Sequence, residues 1–342
     1  MSPKVSVVIK SYNHAPYIHQ TIQSVLDQSF QDFEIVVTDD GSTDGTPDIV
    51  RQFRDRRIKL EVLPLNNGIS LAMNSVLARA TGEYIAILNS DDFSLPGRLE
   101  KQVFFLDGRS DVAALFGIPL VVDEDGNETK PYNDFNRPLS FPDFKYATWL
   151  NYFFFHGNCL CAPTAMIRRS VYEDVGKYDP RLTNLQDLDM WIRILKFGHN
   201  IFVLPDQFTA FRVRNGNKNM SAPRIDSHLR SWFEFRQILN LYRHMEPGLI
   251  YQIFDGEIAK NRIEIGIRPE LLLAEMALTI PSQVHCWFAL QLLFDTANNV
   301  EAYHRLSDLT GKLDLFGALA LRDCKEKLSN ANKVLAARKL FN

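Results

Sequence analysis

Short apolar segments alternate with segments of helical periodicity along the first ninety residues of the 342-residue chain. The apolar segments are rich in β-branched residues and have the length of buried strands; they are 5–9, 33–38, 58–63 and 84–88. Helices are predicted between them, over 17–28, from Thr46 onward and over 69–79. This alternation predicts a parallel sheet with right-handed crossover connections, and therefore an α/β domain at the start of the chain.

Polar residues follow three of these strands at the point where each strand ends. They are Ser11 with Tyr12, Asp39 with Asp40, and Asp91 with Asp92. The carboxyl ends of parallel strands meet at one edge of a sheet, and such sheets bind their ligands along that edge. We therefore expect the three clusters to line one binding site.

The adjacent acids Asp91 and Asp92 follow a strand that is apolar almost to its end. Two unit charges about 4 Å apart repel by roughly 4 kcal/mol at an effective dielectric constant near 20. A divalent cation such as Mg²⁺ or Mn²⁺ turns this repulsion into attraction, because hard cations bind carboxylate oxygens. Taken alone, the pair also fits a solvated turn whose acids point apart or cap the next helix, so the metal site depends on the rest of the chain.

Two common nucleotide-binding patterns are absent from the chain after its first strand. Neither G-x-G-x-x-G nor G-x-x-x-x-G-K-[ST] occurs there, which argues against a dehydrogenase and a P-loop enzyme. The formal net charge of -3 gives no reason to expect nucleic acid as a partner.

The pattern after the two acids is less regular. It predicts helices over 96–106, 171–175 and 187–197, strands over 112–122, 165–167, 201–204 and 208–213, and loop with a short helix over 131–150. From about residue 226 the periodicity is helical to the end of the chain, including 316–340. We therefore expect a first domain over 1–222. A helical region over 223–342 follows it.

Neither a secretion signal nor a membrane span is predicted. The first ten residues enter a strand directly, and no run of eighteen apolar residues occurs. The four cysteines, Cys159, Cys161, Cys286 and Cys324, lack the paired spacing of a zinc site. We expect them to be reduced thiols in a soluble, cytoplasmic protein.

Four motifs resemble those of the family 2 glycosyltransferases of the GT-A fold. They are VSVVIKSYN at 5–13, EIVVTDDGSTDGT at 34–46, ATGEYIAILNSDD at 80–92, and VGKYD at 175–179 followed by QDLDMWIR at 186–193. The resemblance implies a mostly parallel sheet flanked by helices, with a nucleotide-binding half at about 1–110 and an acceptor half at about 111–222. It does not cover residues 223–342. It also implies transfer of a sugar, with inversion, from a nucleotide diphosphate sugar to an acceptor hydroxyl in polysaccharide or glycoconjugate synthesis.

By similarity to that family, the clusters at the strand ends receive roles in donor binding. A divalent cation, Mn²⁺ or Mg²⁺, would neutralise the departing diphosphate. Asp92 would hold this metal, and Asp91 would share it or contact the ribose. Asp40 matches the family position that accepts a hydrogen bond from the base, and Tyr12 matches the position that packs on the base. Ser11 lies beside Tyr12. Asn67 matches a nucleotide-binding position more weakly.

The resemblance places the catalytic base at Asp187, at the start of the 187–197 helix. A sugar hydroxyl is a poor nucleophile, and a positioned carboxylate can remove its proton as the attack develops. Asp187 would also be explained by capping of the helix or by the helix dipole. Asp189 is the competing candidate, two residues on and on a different helix face. Trp191 is expected to lie in the core.

The chain departs from the family pattern at several positions. Asn89 and Gln186 stand where relatives commonly have acids, and Arg214 stands where many have a His. Arginine cannot bind a cation, but it can neutralise phosphate through a bidentate contact. Our hypothesis is that Arg214, with Lys218, closes over the diphosphate, the alternative being a solvated loop charge. His156 and Asn158 lie where relatives have acceptor-side residues, although a lone His is more often structural.

Two other functions are compatible with these residues. One is a nucleotide-sugar-binding module without transferase activity, and the other is a sugar-1-phosphate nucleotidyltransferase. The nucleotidyltransferase is weakened by the absence of a Gly-rich loop bearing Arg or Lys after the first strand. The acceptor would be a carbohydrate or a lipid-linked glycan. The C-terminal helices could form a homo-oligomer interface or a peripheral contact with the inner face of the membrane, for which the basic residues of the last helix are suitable.

Overall fold

One eight-stranded sheet forms the centre of the first part of the molecule. The computed structural model describes residues 2–130, 145–220, 222, 224–261, 263 and 268–297. The strands are β1 Val5–Ser11, β2 Phe33–Asp39, β3 Ile58–Val62, β4 Tyr84–Asn89, β5 Phe93–Ser94, β6 Val112–Val122, β7 Met166–Arg168 and β8 Asn200–Arg212. Their order across the sheet is β3-β2-β1-β4-β7-β6-β8-β5.

The first half of this sheet is parallel, as the alternation of strands and helices predicts. β3, β2, β1 and β4 run parallel to their neighbours. β7 is antiparallel to both β4 and β6, while β6 and β8 are again parallel. The sheet is therefore mixed, and the predicted α/β fold with flanking helices is confirmed.

Twelve helices are described. They are α1 Ala15–Leu26, α2 Thr46–Gln52, α3 Ile69–Arg79, α4 Arg98–Gly108, α5 Tyr146–His156, α6 Val171–Val175, α7 Gln186–Lys196, α8 Ile225–Arg243, α9 Pro247–Ile253, α10 Asp255–Asn261, α11 Pro269–Leu278 and α12 Gln283–Ala297. The apolar stripe of α1 is buried through Ile18, Ile22 and Val25, and it packs against β-branched side chains of the sheet. Burial of this stripe, rather than helix propensity alone, holds such a short helix in place.

Two segments differ from the sequence-based expectation. The predicted loop with a short helix over 131–150 falls partly outside the described residues, and α5 extends instead to His156. Its aromatic sequence buries Trp149, Leu150, Phe153 and Phe154, so it lacks the clear polar face that reveals a surface helix. The two strands expected at 201–204 and 208–213 are one continuous strand, β8.

Helix α7 has the buried face that its sequence predicts. Leu188, Trp191, Ile192 and Leu195 are completely buried. The Trp191 ring meets the Phe116 ring edge-on, with 4.9 Å between the ring centroids. The interpretation of Trp191 as a core residue is therefore confirmed, and this packing fixes the start of α7.

The chain divides into two compact units, Met1–Ser231 and Trp232–Asn342. The expected boundary near residue 222 lies shortly before this division. In the second unit, α11 packs against α12, and side chains such as Leu272, Met276 and Leu293 are buried. An ion pair of 2.8 Å joins Arg243 and Asp295. The helix predicted over 316–340 lies outside the described residues.

The cysteines follow the expectation only in part. Cys159 and Cys161 are free thiols, whereas Cys286 is disulfide-bonded. The expectation that all four cysteines are reduced is therefore wrong at Cys286. Cys324 lies outside the described residues.

Candidate active site

The register of the parallel strands brings the three polar clusters to one edge of the sheet. Ser11 lies opposite Asp39 on β2, and Lys10 lies opposite Asn89 on β4. Asp40 follows β2 directly, and Asp91 and Asp92 follow β4 after a single intervening residue. The site is thus built around the carboxyl end of the central strand β1.

The loop after β1 is anchored to the loop after β2. Asn13 adopts a left-handed backbone conformation (φ 53°), which Asn tolerates better than most residues. Its side-chain Oδ1 accepts a hydrogen bond of 2.9 Å from the backbone N–H of Thr43, and its own N–H donates to Ser42 Oγ at 2.7 Å. Tyr12, which precedes it, is 42% exposed, so its ring is available at the rim of the site.

Asp39 serves the turn that follows β2. Its carboxylate accepts hydrogen bonds from Ser11 Oγ at 3.0 Å, from the Ser42 N–H at 2.8 Å and from Ser42 Oγ at 2.7 Å. The hydroxyl of Ser11, a predicted nucleotide-binding residue, is therefore engaged by Asp39.

Asp40 connects the turn after β2 to the loop before α3. Its two carboxylate oxygens accept hydrogen bonds from the backbone N–H groups of Asn67 at 2.8 Å and Gly68 at 2.9 Å. Gly41 permits this approach, because a Cβ at that position would lie 2.6 Å from the backbone of Leu65 and its φ is +74°. Asp40 and Asn67 thus lie together, although the Asn67 side chain donates to the Leu65 carbonyl rather than facing Asp40.

Asp92 is the more deeply buried acid of the second pair. Its Oδ1 accepts a hydrogen bond from the backbone N–H of Arg212, and its Oδ2 accepts one from Asn89 Nδ2, both at 2.8 Å. Burial and the charge of Asp91 raise the pKa of Asp92 well above its usual range, despite these hydrogen bonds. The negative charge of this carboxylate is therefore only partly compensated by the protein.

Asp91 faces two basic side chains. Its Oδ2 lies 3.2 Å from Arg214 Nε, in an ion pair without a hydrogen bond at that nitrogen, and 3.8 Å from His14 Nε2. Arg214 is held by other bonds, since its Nη2 donates to the carbonyl of Lys218 at 2.8 Å. Arg214, which the sequence assigns to the diphosphate, thus lies against Asp91, while the side chain of Lys218 is exposed.

His14 links Arg214 to the strand end. Arg214 Nη1 lies 2.9 Å from His14 Nε2, and because a guanidinium only donates, this imidazole nitrogen accepts. The His14 proton therefore lies on Nδ1, which donates to Ser90 Oγ at 2.6 Å. Burial lowers the pKa of His14, in agreement with a neutral ring.

Arg212 and Asn219 fix the backbone that carries Arg214. The Arg212 guanidinium is buried and donates to the Asp91 carbonyl at 2.8 Å. Asn219 accepts from the Arg214 N–H at 2.7 Å and donates to the Arg212 carbonyl at 2.8 Å. The loop after β8 is therefore tied to the Asp91–Asp92 segment by side chains from both sides.

Lys10 places an ammonium group among the acids of the site. Its Nζ donates to Asn89 Oδ1 at 2.8 Å. Burial lowers the pKa of Lys10, and the neighbouring charges of Asp91, Asp92 and Asp187 raise it. Three acids from two distant parts of the sequence therefore share one electrostatic environment.

Asp187 lies at the N-terminal end of α7 and is partly buried. Its Oδ2 accepts a hydrogen bond from Asn158 Nδ2 at 3.0 Å, and its Oδ1 accepts one from the Leu188 N–H at 2.8 Å. Burial is the main cause that raises the pKa of Asp187 to about 6. A carboxylate with this pKa is a stronger base than an ordinary aspartate and is still ionised at neutral pH.

The competing acid Asp189 is occupied by another residue. Arg193 donates to its Oδ2 through Nε at 2.8 Å and through Nη2 at 2.7 Å. Arg193 therefore has a structural role as the partner of Asp189. His156, the other acceptor-side candidate, is exposed and its ring lies 4.7 Å from the Tyr152 ring, whereas Asn158 contacts Asp187.

Four residues of the site were not assigned a role from the sequence: Lys10, His14, Arg212 and Asn219. Lys10 offered a signal, since a lysine at the end of a buried strand needs a partner. His14 and Arg212 contact residues that are 76 or more positions away in the sequence, and Asn219 acts within the loop after β8. No local sequence pattern reveals such contacts.

The chemistry of the donor set fits a divalent cation at Asp91 and Asp92. Both are buried carboxylates with hard oxygen atoms, and the repulsion that raises the pKa of Asp92 is the kind that a cation relieves. Within the described ranges, no group of three or more His, Cys, Asp and Glu side chains is arranged to hold a metal. The described residues thus offer two acids at this position, and further ligands would have to come from elsewhere.

Solved structures share the fold. S. aureus TarS 1–349 in complex with UDP-GlcNAc matches 88% of this chain and 89% of that chain with a TM-score of 0.58 and 21% identity. The mannosyltransferase PcManGT from Pyrobaculum calidifontis, in complex with GDP-Man and Mn²⁺, matches 99% of this chain and 87% of that chain with a TM-score of 0.56 and 19% identity. The architecture is therefore that of the GT-A glycosyltransferases.

Sequence comparison identifies the family. The family described as "Glycosyl transferase family 2" matches residues 6–176. TuaG of Bacillus subtilis (strain 168), described as a glycosyltransferase of teichuronic acid biosynthesis, is 34% identical over 243 residues, or 70% of this chain and 90% of TuaG. The chain belongs to family 2 of the glycosyltransferases, which confirms the resemblance seen in its motifs and favours a transferase over a nucleotidyltransferase.

Among the helices that the structure describes, none has both the length and the hydropathy required to cross a bilayer.

Proposed function

We propose that this protein transfers a sugar, with inversion, from a nucleotide diphosphate sugar to a hydroxyl group of a carbohydrate or lipid-linked glycan acceptor. The observation that carries the proposal is the common environment of Asp91, Asp92 and Asp187, whose charges all act on the ammonium of Lys10. Two acids suited to the donor and one acid suited to the acceptor are therefore near enough to one ammonium group to act in one reaction.

Asp91 and Asp92 would hold a divalent cation, Mn²⁺ or Mg²⁺, which when bound supplies positive charge to the departing diphosphate. The Mn²⁺ and GDP-Man of the PcManGT structure support this assignment, as does the UDP-GlcNAc of the TarS structure. Because the chain provides two acids, we expect the diphosphate of the donor to complete the coordination, and little metal to bind without nucleotide.

The nucleoside would lie at the ends of β1 and β2. The exposed ring of Tyr12 is suited to stacking on a base, with Ser11 and the turn at Asp39 fixing the backbone beside it. Each oxygen of Asp40 accepts one hydrogen bond from Asn67 or Gly68, so each has a further lone pair for a donor group of the base.

Arg214 would bind the diphosphate by exchanging its contact with Asp91 for a contact with phosphate oxygens. A guanidinium prefers bidentate contacts with phosphate. Its present ion pair with Asp91 leaves Nε without a hydrogen bond, so this N–H is available to a phosphate oxygen. The exposed Lys218 lies on the same loop.

Asp187 would act as the general base. The acceptor oxygen attacks the anomeric carbon, the bond from this carbon to the diphosphate oxygen breaks with its electron pair, and the acceptor proton moves to the Asp187 carboxylate. Asn158 orients that carboxylate through its Nδ2–H, and the Asp187 pKa of about 6 suits proton removal at neutral pH. The teichuronic acid biosynthesis associated with TuaG supports a role in polysaccharide or glycoconjugate synthesis.

Turnover by Asp187→Asn tests this proposal. We expect UDP-, dTDP- or GDP-sugars to be turned over by the wild type, with a product of inverted anomeric configuration by NMR. Asp187→Asn should lower kcat by about 10²–10⁴-fold while nucleotide binding is kept. The matched variant Asp189→Asn should keep kcat within a few-fold per folded molecule.

Unchanged turnover in Asp187→Asn would remove this residue from the mechanism, and a large loss only in Asp189→Asn would move the base to that position. Nucleotide affinity without turnover across a broad acceptor screen would instead identify a binding module.

A further inference from the structure

Lys10 is a charged residue at the end of the central strand of the sheet. It is partly buried, and its backbone lies opposite Asn89 in the pairing of β1 with β4. Lysine is among the residues that are least often buried, because the ammonium loses its hydration. Its position therefore requires an explanation beyond the packing of the sheet.

The contact between Lys10 and Asn89 fixes the ammonium in space. Asn89 Oδ1 accepts a hydrogen bond from Lys10 Nζ, while Asn89 Nδ2 donates to Asp92 Oδ2, both at 2.8 Å. One amide thus holds a cation on one side and an acid on the other, which an acid at position 89 could not do.

Two N–H groups of the Lys10 ammonium have no partner in the described part of the protein. An ammonium has three donors, and the bond to Asn89 uses one. No carboxylate oxygen of the described residues lies within 4.0 Å of Nζ, and no other hydrogen bond is made to it there. The acids act on Lys10 through space, so its remaining donors are available to a ligand.

The two remaining N–H groups of Lys10 lie near three acids of the proposed site. Asp91 and Asp92 lie on the side that would bind the diphosphate, and Asp187 lies on the side that would bind the acceptor; all three act on Lys10. An inverting transfer requires the anomeric carbon between the leaving oxygen and the attacking oxygen. Asn89 holds Lys10 beside Asp92, so the ammonium group lies where the sugar of the donor would pass.

Resting on the proposed function, we infer that Lys10 binds the donor sugar, its two free N–H groups donating to oxygen substituents of the sugar ring. Lys10 thereby orients the anomeric carbon between the diphosphate and Asp187. It is a specificity-determining residue, because a sugar without acceptor oxygens at this edge leaves two N–H groups of a partly buried cation without partners.

Calorimetric titration of Lys10→Met with a nucleotide sugar and with the matching nucleoside diphosphate tests this inference. The probes are UDP-GlcNAc with UDP, and GDP-mannose with GDP, each in the presence of Mn²⁺. For the pair that the wild type binds, Lys10→Met should weaken binding of the nucleotide sugar by about ten-fold or more and change binding of the diphosphate by less than about two-fold. Lys10→Arg, which keeps the charge, should recover part of the lost affinity.

Lys101→Met is the matched control, because Lys101 lies on the surface and pairs with Asp206 at 2.6 Å. It should bind both probes as the wild type does. Equal weakening of the sugar nucleotide and the diphosphate by Lys10→Met would assign Lys10 to the phosphate and overturn the inference, as would unchanged binding of both. A wild type that bound neither these four nucleotides nor a dTDP-sugar would refute the proposed function itself, and the assignment of Lys10 with it.

Discussion

Two pairs of adjacent aspartates end the strands on either side of β1, and they differ in what surrounds their charge. Asp39 and Asp40, after β2, accept hydrogen bonds from hydroxyl and backbone N–H groups only. Asp91 and Asp92, after β4, lie in the field of Lys10, and Asp91 also contacts Arg214. The same dipeptide at the same kind of position therefore has two different environments.

The difference teaches how to distinguish an acid pair that fixes neighbouring loops from one that is suited to a cation. The first pair binds neutral donors of its own loops and holds those loops in place. In the second pair, burial and like charge raise the pKa of Asp92, so that its ionised form is unfavourable in the absence of a ligand. A charge that the protein stabilises only in part is the feature on which the proposed site for a cation and a diphosphate rests.

The largest difference expected between the two pairs follows from removing a charge in the second one. Asp92→Asn should lower kcat with the donor that the wild type uses by about 10²–10³-fold, because charge stabilisation at the diphosphate is lost. Steady-state kinetics at saturating Mn²⁺ measure this effect. Asp39→Asn is the matched variant after β2, and its kcat per folded molecule should stay within a few-fold. Similar losses in both variants would remove the proposed difference between the pairs.

Asp39→Asn should have a larger effect than Asp92→Asn when stability is measured instead of kcat. Asp39→Asn should lower the free energy of unfolding by about 2 kcal/mol, because buried donors of Ser11 and Ser42 lose a charged acceptor. Asp92→Asn should not lower it in metal-free buffer at pH 7.

The sign of that second expectation follows from the pKa of Asp92, which is higher in the folded than in the unfolded protein. The folded state therefore binds the proton more tightly, and stability falls as the pH rises from the unfolded value through the folded one. Denaturant unfolding of both variants checks the pair of predictions. A large loss of stability in Asp92→Asn alone would contradict them.

A smaller effect is expected at Asp40, which both holds the loop before α3 and would bind the base of the nucleotide. Asp40→Asn should weaken nucleoside diphosphate binding by about ten-fold, because the loop at Asn67 and Gly68 loses a charged acceptor and the base loses its partner. The kcat at saturating donor should change by less than about three-fold. Isothermal titration and steady-state kinetics separate these quantities, and an effect on kcat alone would argue against a nucleotide-binding role.

The smallest effect is a shift in the pH profile, expected from a change at Asn158 beside Asp187. Since Asp187 acts in its ionised form, kcat/KM should fall about ten-fold per pH unit below its pKa of about 6. Asn158→Leu removes a hydrogen bond that favours the ionised form, so the acidic limb of the pH profile should move upward by up to about one unit. A limb that stayed in place would show that Asn158 does not act through Asp187.

Much of the first unit could be predicted from the sequence. The seven strands and helices predicted in the first ninety residues are present in the structure, with small differences in their bounds. They could be predicted because β-branched strands and amphipathic helices alternate there with clear periodicity. The parallel pairing of β1 with β2 and β4 then brings the polar strand ends to one edge. Asp40, Asp91 and Asp92 could be found because they are local to those ends.

The remainder depends on contacts that no local pattern contains. Helix α5 carries aromatic residues on most of its surface, so its sequence shows no clear helical spacing of apolar and polar residues. The sequence identified Asn89 as a departure from the family, but only the structure shows it between Lys10 and Asp92. Likewise, the neutral tautomer of His14 follows from Arg214, which lies 200 residues away.

Calorimetric titration of the wild-type protein with UDP-, dTDP- and GDP-sugars, with and without Mn²⁺, tests the central claim most directly. If Asp91 and Asp92 form a donor site completed by a cation, one nucleotide class should bind, Mn²⁺ should tighten that binding about ten-fold or more, and the free nucleoside diphosphate should compete. Binding that is indifferent to both Mn²⁺ and the diphosphate would contradict the account.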